Sequence, residues 1–543
     1  MKVNARITKN GKAFSYQEIN RFITEKLFHL EDQFTKEIDR FSLAHKKIKF
    51  LQLSSTLSRS NYQSRIYYDY CLLASIKELI AQGHQVEYIE INKELEGAFK
   101  ELQASHPNSI LEYSVVNTRL KLLKDLMRLI KFTGLKLVQI FLIRSTFHKK
   151  IKPNKIYALF TSYVFQGKVV ENNYFGSITD LPESKAIFMP VIIDVGLSGI
   201  FNTSRELKAL KNKFIFREHY LSVNDVFKSL SHHSFEKDFA KKITTKNIND
   251  LLIRGHLLNS SFNTLSLEAH LNLLGLSKIF KDLGPPKKLI LSWENQSSEK
   301  AILIAANEYE EIDTCGYVSR PIKQNEFNII PSKQEAENGL CPKSIVVTGN
   351  KALERFKKNN LDIQVSMGPN LRYKWTYRAE NKTSKSKLIN EVIFIMPGDN
   401  ESFKSLQRTI SDLKANNLSK HFKIYAKLHP YFRQSKKLNG VELIDKKIED
   451  LPKGSIIISV ASIAALEAAA MGFKTILYKN EYDQYETSLF AKGQKHPLPI
   501  FTDTIELINK IKEDKFNALD AQESIQADYF SSSINQGIDF FYK

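Results

Sequence analysis

The segment that most constrains the fold is an apolar strand followed by an alanine-rich helix and a second strand. Ile456–Ile458 is wholly apolar, and the helix that follows it stops at Gly472. The chain then returns as a further strand, Lys474–Tyr478. A strand, a helix that ends at glycine and another strand form a β-α-β unit, which requires a parallel sheet covered by helices. The sequence therefore predicts an α/β fold.

Polar groups follow two neighbouring strands of this unit. Residues 422–428 alternate apolar and polar, which predicts a strand that stops at His429-Pro430. Alone, such a pair is usually a turn, and a serine before a helix is usually an N-cap. Because the carboxyl ends of successive parallel strands meet at one edge of a sheet, His429 should lie near Ser459 and Ser462. The helix that starts there offers free N–H groups and the positive end of its dipole, so the segment predicts a phosphate site.

The two motifs together resemble the C-terminal nucleotide-binding half of GT-B glycosyltransferases, above all bacterial polysialyltransferases and Kdo transferases, which use CMP-activated sugars. In those enzymes a His-Pro motif and a downstream serine motif hold the CMP. The resemblance implies that six residues bind the nucleotide: Lys427, His429, Pro430, Ser459, Ser462 and Glu467. Glu467 lies about a turn beyond Ser462, where a carboxylate can accept ribose hydroxyls. Lys427, His429 and the helix start would stabilise the leaving phosphate.

A second constellation opens a helix earlier in the chain. The apolar strand Leu289–Trp293 runs directly into two carboxylates, two amides and a lysine: Glu294, Asn295, Gln296, Glu299 and Lys300. Such groups at a helix start can simply cap its backbone. We expect Glu294 instead to emerge partly buried at the floor of a cleft, near Trp293 and without a close cation, where it could act as a base.

Residues 293–322 resemble the signature of bacterial surface-carbohydrate biosynthesis proteins, in which Glu-Asn-Gln-x-x-Glu-Lys opens a helix and a strand with Gly-Tyr follows. Members usually continue that strand into Gln-His, whereas this chain has Arg320, which we expect to substitute electrostatically. The resemblance covers about residues 155–480. It implies a catalytic carboxylate at Glu294, or else at Glu299, with His429 assisting. Substrate-binding roles follow for Asn295, Gln296, Lys300 and Arg320.

The pattern of strands repeats on both sides of a polar, lysine-rich stretch at 376–388, which we interpret as a linker. The resemblance implies a GT-B-like fold, with two Rossmann-like domains facing across a cleft. Its parts would be a helical N-terminal lead-in at 1–45, an N-terminal acceptor domain with helical insertions at 46–375, the linker, and a C-terminal nucleotide-sugar-binding domain at 389–543. Lys46–Ser54 is the first predicted strand, and the loop after it makes Ser55 and Arg59 candidate acceptor-binding residues.

Other short apolar runs predict the remaining strands: Gln85–Ile91, Ile156–Thr161, Ala186–Asp194, Ile312–Tyr317, Ser344–Thr348, Glu391–Met396 and 441–444. Residues 200–285 have a mostly helical pattern that ends at Gly284-Pro285-Pro286.

The chain carries 79 basic and 59 acidic residues, a formal net charge of +20. Such an excess can serve nucleic acid, an anionic membrane or anionic substrates, and lysine-rich proteomes also produce it without a function. Because the basic residues are dispersed and no nucleic-acid-binding signature occurs, we expect no nucleic-acid partner. The three scattered cysteines suggest neither a zinc ribbon nor a disulfide framework. Without an Asp-x-Asp motif we expect no metal, and no cofactor besides a nucleotide sugar that serves as substrate.

Residues 117–150 predict a basic amphipathic helix, with apolar residues at helical spacing between lysines and arginines. Such a helix can lie on an anionic membrane, or it can pack against its own domain with a solvated basic rim. The N-terminus lacks the apolar core of a signal peptide, and no apolar run is long enough to span a bilayer. We therefore expect a cytoplasmic protein with peripheral contact to the inner membrane through 117–150.

The leading hypothesis is a glycosyltransferase of surface polysaccharide biosynthesis. It would transfer a sugar, best a nonulosonate or Kdo from a CMP-sugar, to a glycan or lipid-linked acceptor. One alternative is a CDP-polyol phosphotransferase, since those enzymes also carry a Lys-x-His-Pro strand end and a serine motif. A non-catalytic GT-B scaffold is the other. The sequence leaves open the donor sugar, the linkage, the stereochemical outcome and the oligomeric state.

Overall fold

The computed structural model describes residues 4–45, 49–60, 63–116, 119–147, 157–172, 174–180, 186–193, 196–210, 214–259, 264–323, 325–359, 361–377, 390–398, 400–415, 422–429, 438, 441–460, 462–479, 497–512, 518–531 and 534–542. Among these residues no helix is both long enough and apolar enough to cross a bilayer.

The N-terminal part of the chain forms a four-stranded sheet of its own, in the order β2-β1-β3-β4. Its strands are β1 (Ala5–Lys9), β2 (Lys12–Ala13), β3 (Gln85–Ile91) and β4 (Ile110–Val115). Its helices are α1 (Tyr16–His29), α2 (Glu31–Ala44), α3 (Lys49–Gln52), α4 (Ile66–Ala81) and α5 (Glu96–Ser105). Strand β1 runs antiparallel to β3, and β4 runs parallel to it.

One prediction for this region is correct in part and another is wrong. The lead-in at 1–45 is helical in α1 and α2, but before them Asn10 and Gly11 adopt positive φ values of 51° and 77° and join β1 to β2 as a hairpin. The predicted strand Lys46–Ser54 is helix α3 at its centre. Leu53 packs against buried alanines of neighbouring helices, so this apolar run is covered without joining a sheet. A short apolar run does not by itself distinguish a strand from a buried helical segment.

The first Rossmann-like domain contains a six-stranded sheet in the order β12-β11-β10-β9-β5-β8, with every neighbouring pair parallel. The strands are β5 (Ala158–Val164), β8 (Ala186–Ile192), β9 (Lys288–Ser292), β10 (Asp313–Val318), β11 (Ser344–Val347) and β12 (Gln364–Met367), and a separate hairpin consists of β6 (Glu171–Asn172) and β7 (Gly176–Ser177). The helices are α6 (Arg119–Thr146), α7 (Leu197–Ala209), α8 (Val223–Lys242), α10 (Thr264–Leu283), α11 (Ser297–Ala306), α12 (Lys333–Glu337) and α13 (Asn350–Lys357). Helix α9 (Ile248–Asn259) follows α8 along the chain but packs in the core of the N-terminal sheet. Strand β9 is an inner strand, so the loop after it opens within the carboxyl edge of the sheet.

The second Rossmann-like domain contains another parallel six-stranded sheet, in the order β15-β14-β13-β16-β17-β18. Its strands are β13 (Glu391–Ile395), β14 (Lys423–Lys427), β15 (Glu442–Leu443), β16 (Ile456–Val460), β17 (Lys474–Tyr478) and β18 (Ile500–Phe501). Its helices are α14 (Asn400–Ala415), α15 (Ile463–Ala470), α16 (Thr504–Lys512) and α17 (Ala518–Ile525). The predicted α/β fold with two Rossmann-like domains is confirmed.

The last described segment, 534–542, returns to the first Rossmann-like domain. Phe541 is buried in the core that also contains Phe160, Phe175 and Tyr317, and its ring centroid lies 5.3 Å from that of Tyr317. The predicted C-terminal domain, 389–543, therefore extends too far, because the apolar residues of its last segment fill a core on the other side of the connection. Most of the predicted linker, from residue 378 onward, lies outside the described residues.

Replacing Phe541 by alanine should lower the free energy of unfolding by about 3 kcal/mol, since truncating a packed aromatic side chain leaves a cavity. Urea unfolding of the purified protein measures the change. The side chain of Phe541 is 4% exposed, whereas that of Phe141 is 74% exposed, so Phe141→Ala is a matched control. The control should change stability by less than about 0.5 kcal/mol. Equal effects of the two substitutions would contradict the described packing of the C-terminal segment.

Candidate active site

Glu294 lies in the loop between β9 and α11, and both of its carboxylate oxygens have partners. Oε1 accepts hydrogen bonds from Arg320 Nε at 3.3 Å and Nη2 at 3.2 Å, and Oε2 accepts one from Gln296 Nε2 at 2.9 Å. The expectation of a carboxylate without a close cation is wrong, because β10 neighbours β9 and brings Arg320 to the same edge. Arg320 also pairs with Glu326 at 2.7 Å. It therefore provides the positive charge that the sequence suggested for this position.

The loop that carries Glu294 contains a backbone conformation that most side chains avoid. Asn295 has a φ of 53°, in the left-handed region. Its Nδ2 donates to Asn328 O at 2.7 Å and to Glu335 Oε2 at 3.0 Å. In return, Asn328 Nδ2 donates to Glu294 O at 2.9 Å. These bonds fix the direction in which Glu294 leaves the strand, against a strain of about 1–3 kcal/mol.

Glu335 forms ion pairs with two of the basic side chains that the sequence predicted to bind the acceptor. Its Oε2 pairs with Arg59 at 2.5 Å and its Oε1 with Lys300 at 2.6 Å, and all three side chains are buried. Burial acts to raise the pKa of Glu335, but Arg59 and Lys300 outweigh it and lower the pKa to about 2. Ser55 is also buried, with its N–H donating to Ser266 Oγ. Arg59 and Lys300 are thus engaged with Glu335, and the acceptor contacts of Ser55, Arg59 and Lys300 stay predictions.

Glu299 is buried in the first turn of α11. Its Oε2 accepts a hydrogen bond from the Gln296 N–H at 2.6 Å, which closes a capping box, and its Oε1 accepts one from Tyr163 OH at 3.1 Å. Burial, together with the charge of Glu294, raises the pKa of Glu299 to about 8. Gln296 connects the two acids, since its backbone bonds Glu299 and its side chain bonds Glu294. The raised pKa favours the protonated form of Glu299 in the folded protein.

A cavity of about 500 Å³ opens beside Glu294. Its polar side includes Glu294, Gln296 and Ser298. Its apolar or aromatic walls come from α6, β5, α10 and two loops of the first domain, with the residues Phe132, Leu135, Tyr163, Tyr174, Ile193 and Leu265. Helix α6 covers one side. Concave, mostly apolar cavities with a few convergent polar groups are the usual form of ligand sites. Glu294 thus lies where a bound molecule would present a reactive group.

His429 follows β14 and lies at the carboxyl edge of the second sheet. A Cβ built on Gly398, which follows β13, would be 3.0 Å from His429 Nδ1, so the ring packs directly on the glycine backbone. Burial, together with the charge of Lys323, lowers the pKa of His429. Because Lys323 belongs to the first Rossmann-like domain, the histidine lies where the two domains meet. Pro430 lies outside the described residues.

The two predicted serines lie together after β16. Ser459 Oγ donates to Ile395 O at 3.2 Å and is 3.2 Å from Ser462 Oγ. Ser462 is the N-cap of α15 and accepts a hydrogen bond from the Ala465 N–H at 3.2 Å. The N-cap interpretation is therefore correct for Ser462. It is compatible with a phosphate site, because a cap orders the helix start that an anion would approach.

Glu467 lies one turn into α15 and is bonded by an indole. Its Oε1 accepts a hydrogen bond from Trp375 Nε1 at 2.7 Å. Burial raises the pKa of Glu467 to about 7, although this hydrogen bond and the charges of Arg372 and Lys427 act in the opposite direction. Lys427 Nζ donates to Lys446 O at 2.6 Å. Glu467 is thus connected to the segment that joins the two domains.

Arg372 is a candidate site residue that the sequence analysis missed. Its guanidinium carbon lies 5.1 Å from the centre of the Tyr373 ring, and within the described ranges no carboxylate lies at ion-pair distance from it. Burial raises the pKa of Tyr174 in the cavity wall and that of Glu467 in the second domain, and the charge of Arg372 acts against both shifts. A partly exposed arginine between two domains is suited to a phosphate. No motif surrounds it, so only its position before the linker could have indicated it.

The predicted residues form two groups, one in each domain. The first domain contributes Glu294, Gln296, Glu299 and Arg320, and the second contributes Lys427, His429, Ser459, Ser462 and Glu467. Burial raises the pKa of Tyr373, and charges from both domains also affect this pKa: that of Glu467 from the second domain and those of Arg320 and Glu326 from the first. In the described part of the chain, no three His, Cys, Asp or Glu side chains are grouped so that they could hold a metal ion.

No protein-family model matches the chain, and no curated protein matches it. Among solved structures, it is similar to UDP-GlcNAc 2-epimerase from Neisseria meningitidis, with a TM-score of 0.37 and 12% identity over 72% of this chain and 98% of that one. It is also similar to the Methanocaldococcus jannaschii UDP-GlcNAc 2-epimerase, with a TM-score of 0.37 and 11% identity over 69% of this chain and 99% of that one. For the wall teichoic acid polymerase TagF the TM-score is 0.36 and the identity 11%, over 79% of this chain and 97% of that one. A likeness this distant gives the chain neither a family nor an activity.

Replacing Glu299 by glutamine should remove a pH dependence of stability. The pKa of Glu299 is raised from 4.5 to about 8, so the folded state keeps a proton that the unfolded state loses. The associated stability is complete below the unfolded pKa and is lost as the pH rises through the folded one. Melting temperatures measured from pH 5 to pH 9 should therefore fall for the wild type relative to Glu299→Gln, in which the capping bond is kept. Parallel curves would show that Glu299 is already ionised.

Proposed function

We propose that the protein is a glycosyltransferase of bacterial surface-polysaccharide biosynthesis, which transfers a sugar from a nucleotide sugar to a hydroxyl of a glycan or lipid-linked acceptor. A CMP-activated nonulosonate or Kdo is the donor that the sequence resemblance favours. The observation that carries the proposal is that each domain has a group of polar side chains at the carboxyl edge of its sheet. One contains carboxylates beside a cavity, and the other contains a histidine and a capped helix start.

The acceptor side of the proposal rests on Glu294. Transfer of a sugar requires a carboxylate that either takes the proton of the acceptor hydroxyl or attacks the anomeric carbon. Glu294 lines the cavity, its orientation is fixed by Arg320 and Gln296, and the strained residue after it is held by Asn328. Such preorganisation is what a catalytic group needs, because little movement is then required at the moment of reaction. Glu299 stays the second candidate.

The donor side rests on His429, Ser462 and Arg372. The leaving group of a nucleotide sugar is a phosphate, whose negative charge grows as the sugar departs. His429 follows β14 and the start of α15 follows β16, so the two lie at the same edge of the second sheet but, contrary to the expectation of neighbouring strands, with β13 between them. Arg372 approaches from the segment that joins the domains. Lys427 adds a positive charge near Glu467. Together they would stabilise the leaving phosphate with fixed hydrogen-bond donors and cations.

Glu294→Gln should lower the rate of sugar transfer by orders of magnitude and leave nucleotide binding unchanged. Glutamine keeps the shape of the side chain but can neither accept the acceptor proton nor attack the sugar. Single-turnover transfer and the Kd of the nucleotide are measured on the same preparation. Glu308→Gln, at an exposed position after α11, is the matched control and should have no effect. Unchanged transfer in Glu294→Gln would make the residue structural and direct the search to Glu299.

His429→Ala should slow transfer by about 30- to 1000-fold, the usual effect of losing one preorganised donor to a transition state, about 2–4 kcal/mol in barrier. His29→Ala, at an exposed position, is the matched control. Activity of His429→Ala within a few-fold of the wild type would remove the histidine from the mechanism.

Thermal melting with CMP, CDP or UDP tests the function before any acceptor is known. A nucleotide that binds the folded protein raises its melting temperature, and the shift should be largest with CMP. Stabilisation by CDP-glycerol together with transfer of a polyol phosphate would assign a CDP-polyol phosphotransferase. The absence of a shift with every nucleotide would contradict the proposed function and favour the scaffold.

A further inference from the structure

Helix α6 presents large apolar side chains on two opposite faces. Its inner face covers the cavity with Phe132 and Leu135, which are three positions apart. Its outer face carries another such series, in which Leu123, Leu126, Met127, Ile130 and Phe141 are exposed. Met127 is 64% exposed and Ile130 is 63% exposed. We call this series the outer stripe. The predicted packing of the helix against its own domain is therefore correct for one face and wrong for the other.

An exposed apolar stripe of this length requires a partner, since soluble proteins rarely leave large contiguous apolar patches in water. The charges on α6 indicate which partner fits. The helix contains seven basic residues and a single acidic one, Asp125. The side chains of Lys124, Arg128 and Lys131 are exposed along one edge of the helix, between the outer stripe and the face that lines the cavity. A second copy of this chain would bring two proteins of net charge +20 together, which is unfavourable. An anionic membrane surface satisfies both the apolar and the basic side chains.

The cavity has the matching composition on the inner side of the same helix. Apolar walls lie beneath α6, the polar groups of Glu294 and Gln296 lie on the opposite side, and Arg128 and Lys131 contribute to the lining from α6. A molecule with an apolar chain, a phosphate and a sugar hydroxyl would match the apolar, cationic and carboxylate groups of this lining. A free glycan would leave the apolar walls without a partner.

The geometry points to the cavity beneath α6 as the binding site for the lipid end of a membrane-bound, lipid-linked acceptor, with the outer stripe of α6 lying in the anionic membrane surface. The apolar walls hold the start of the lipid chain, Arg128 and Lys131 bind the adjoining phosphate, and the sugar hydroxyl reaches Glu294. This inference rests on the proposed function, of which it names the acceptor class.

Binding of alkyl glycosides of increasing chain length tests the cavity without any donor. Their affinity should rise about fourfold for each methylene that enters it, as expected for burial of a CH₂ group. Leu135→Trp and Ile193→Trp fill the cavity from two sides, and each should weaken binding of the longest glycoside at least tenfold. Leu111→Trp, at an exposed position on β4, is the matched control and should leave binding unchanged. An affinity independent of chain length, or equal losses in all three variants, would overturn the assignment of the cavity.

Co-sedimentation with vesicles tests the outer stripe. Vesicles of phosphatidylglycerol and phosphatidylethanolamine in equal parts should bind the wild type, and vesicles of phosphatidylcholine alone should bind it much less. Ile130→Glu should abolish the binding. Ile505→Glu, which replaces another exposed helical isoleucine (72% exposed), should retain it. No binding by the wild type, or a dimer that dissociates in Ile130→Glu, would overturn the membrane assignment.

These outcomes are separate from those of the proposed function. A protein that binds long alkyl glycosides and vesicles but transfers no sugar would refute the transferase and leave the lipid site supported. A transferase that uses soluble glycans equally well, with affinity independent of an alkyl chain, would refute the lipid site alone.

Discussion

The carboxylate of Glu335 connects parts of the chain that are distant in sequence and that together determine where Glu294 lies. Arg59 approaches it from the segment between α3 and α4, Lys300 from α11, and Asn295 from the loop after β9. Removing one member of a buried charge pair typically costs about 3–5 kcal/mol, because the remaining charge loses its compensation. Arg59 and Lys300 hold the Glu335 carboxylate in place, and this carboxylate accepts a hydrogen bond from the Asn295 side chain. The left-handed backbone at Asn295 is stabilised through that bond. The position of Glu294 is therefore a property of the whole N-terminal half.

The two acids of the Glu-Asn-Gln motif have different surroundings, although they lie five residues apart. Glu294 is partly exposed beside a guanidinium, whereas Glu299 is buried beside a phenol and has a raised pKa. Two carboxyl groups with such different exposure and partners are typical of acid–base pairs in active sites. The same arrangement explains why a raised pKa is found at Glu299, since burial has its largest effect where no cation compensates it.

The core strands of both Rossmann-like domains were predictable because sheets covered on both faces require continuous apolar runs. Glu391–Met396 and Lys474–Tyr478 differ from the observed β13 and β17 by at most one residue. The Asn10-Gly11 hairpin carried a readable turn signal that the helical pattern after it obscured. The ion pair of Glu294 with Arg320 was not predictable, because it depends on β9 and β10 being neighbours. Nor does an apolar pattern say which core its residues fill, so the return of 534–542 could not be foreseen.

That return gives the two domains a second covalent connection. The chain crosses once after Tyr373 and again after Phe530, and the rings of these two residues lie only 5.3 Å apart. Gly349 of the first domain packs against the backbone of Asp528 and Tyr529 at the same place, where a side chain would not fit. Because both crossings pack at one place, we expect any movement of one domain relative to the other to pivot there. Such a movement would change the distance between His429 and Glu294.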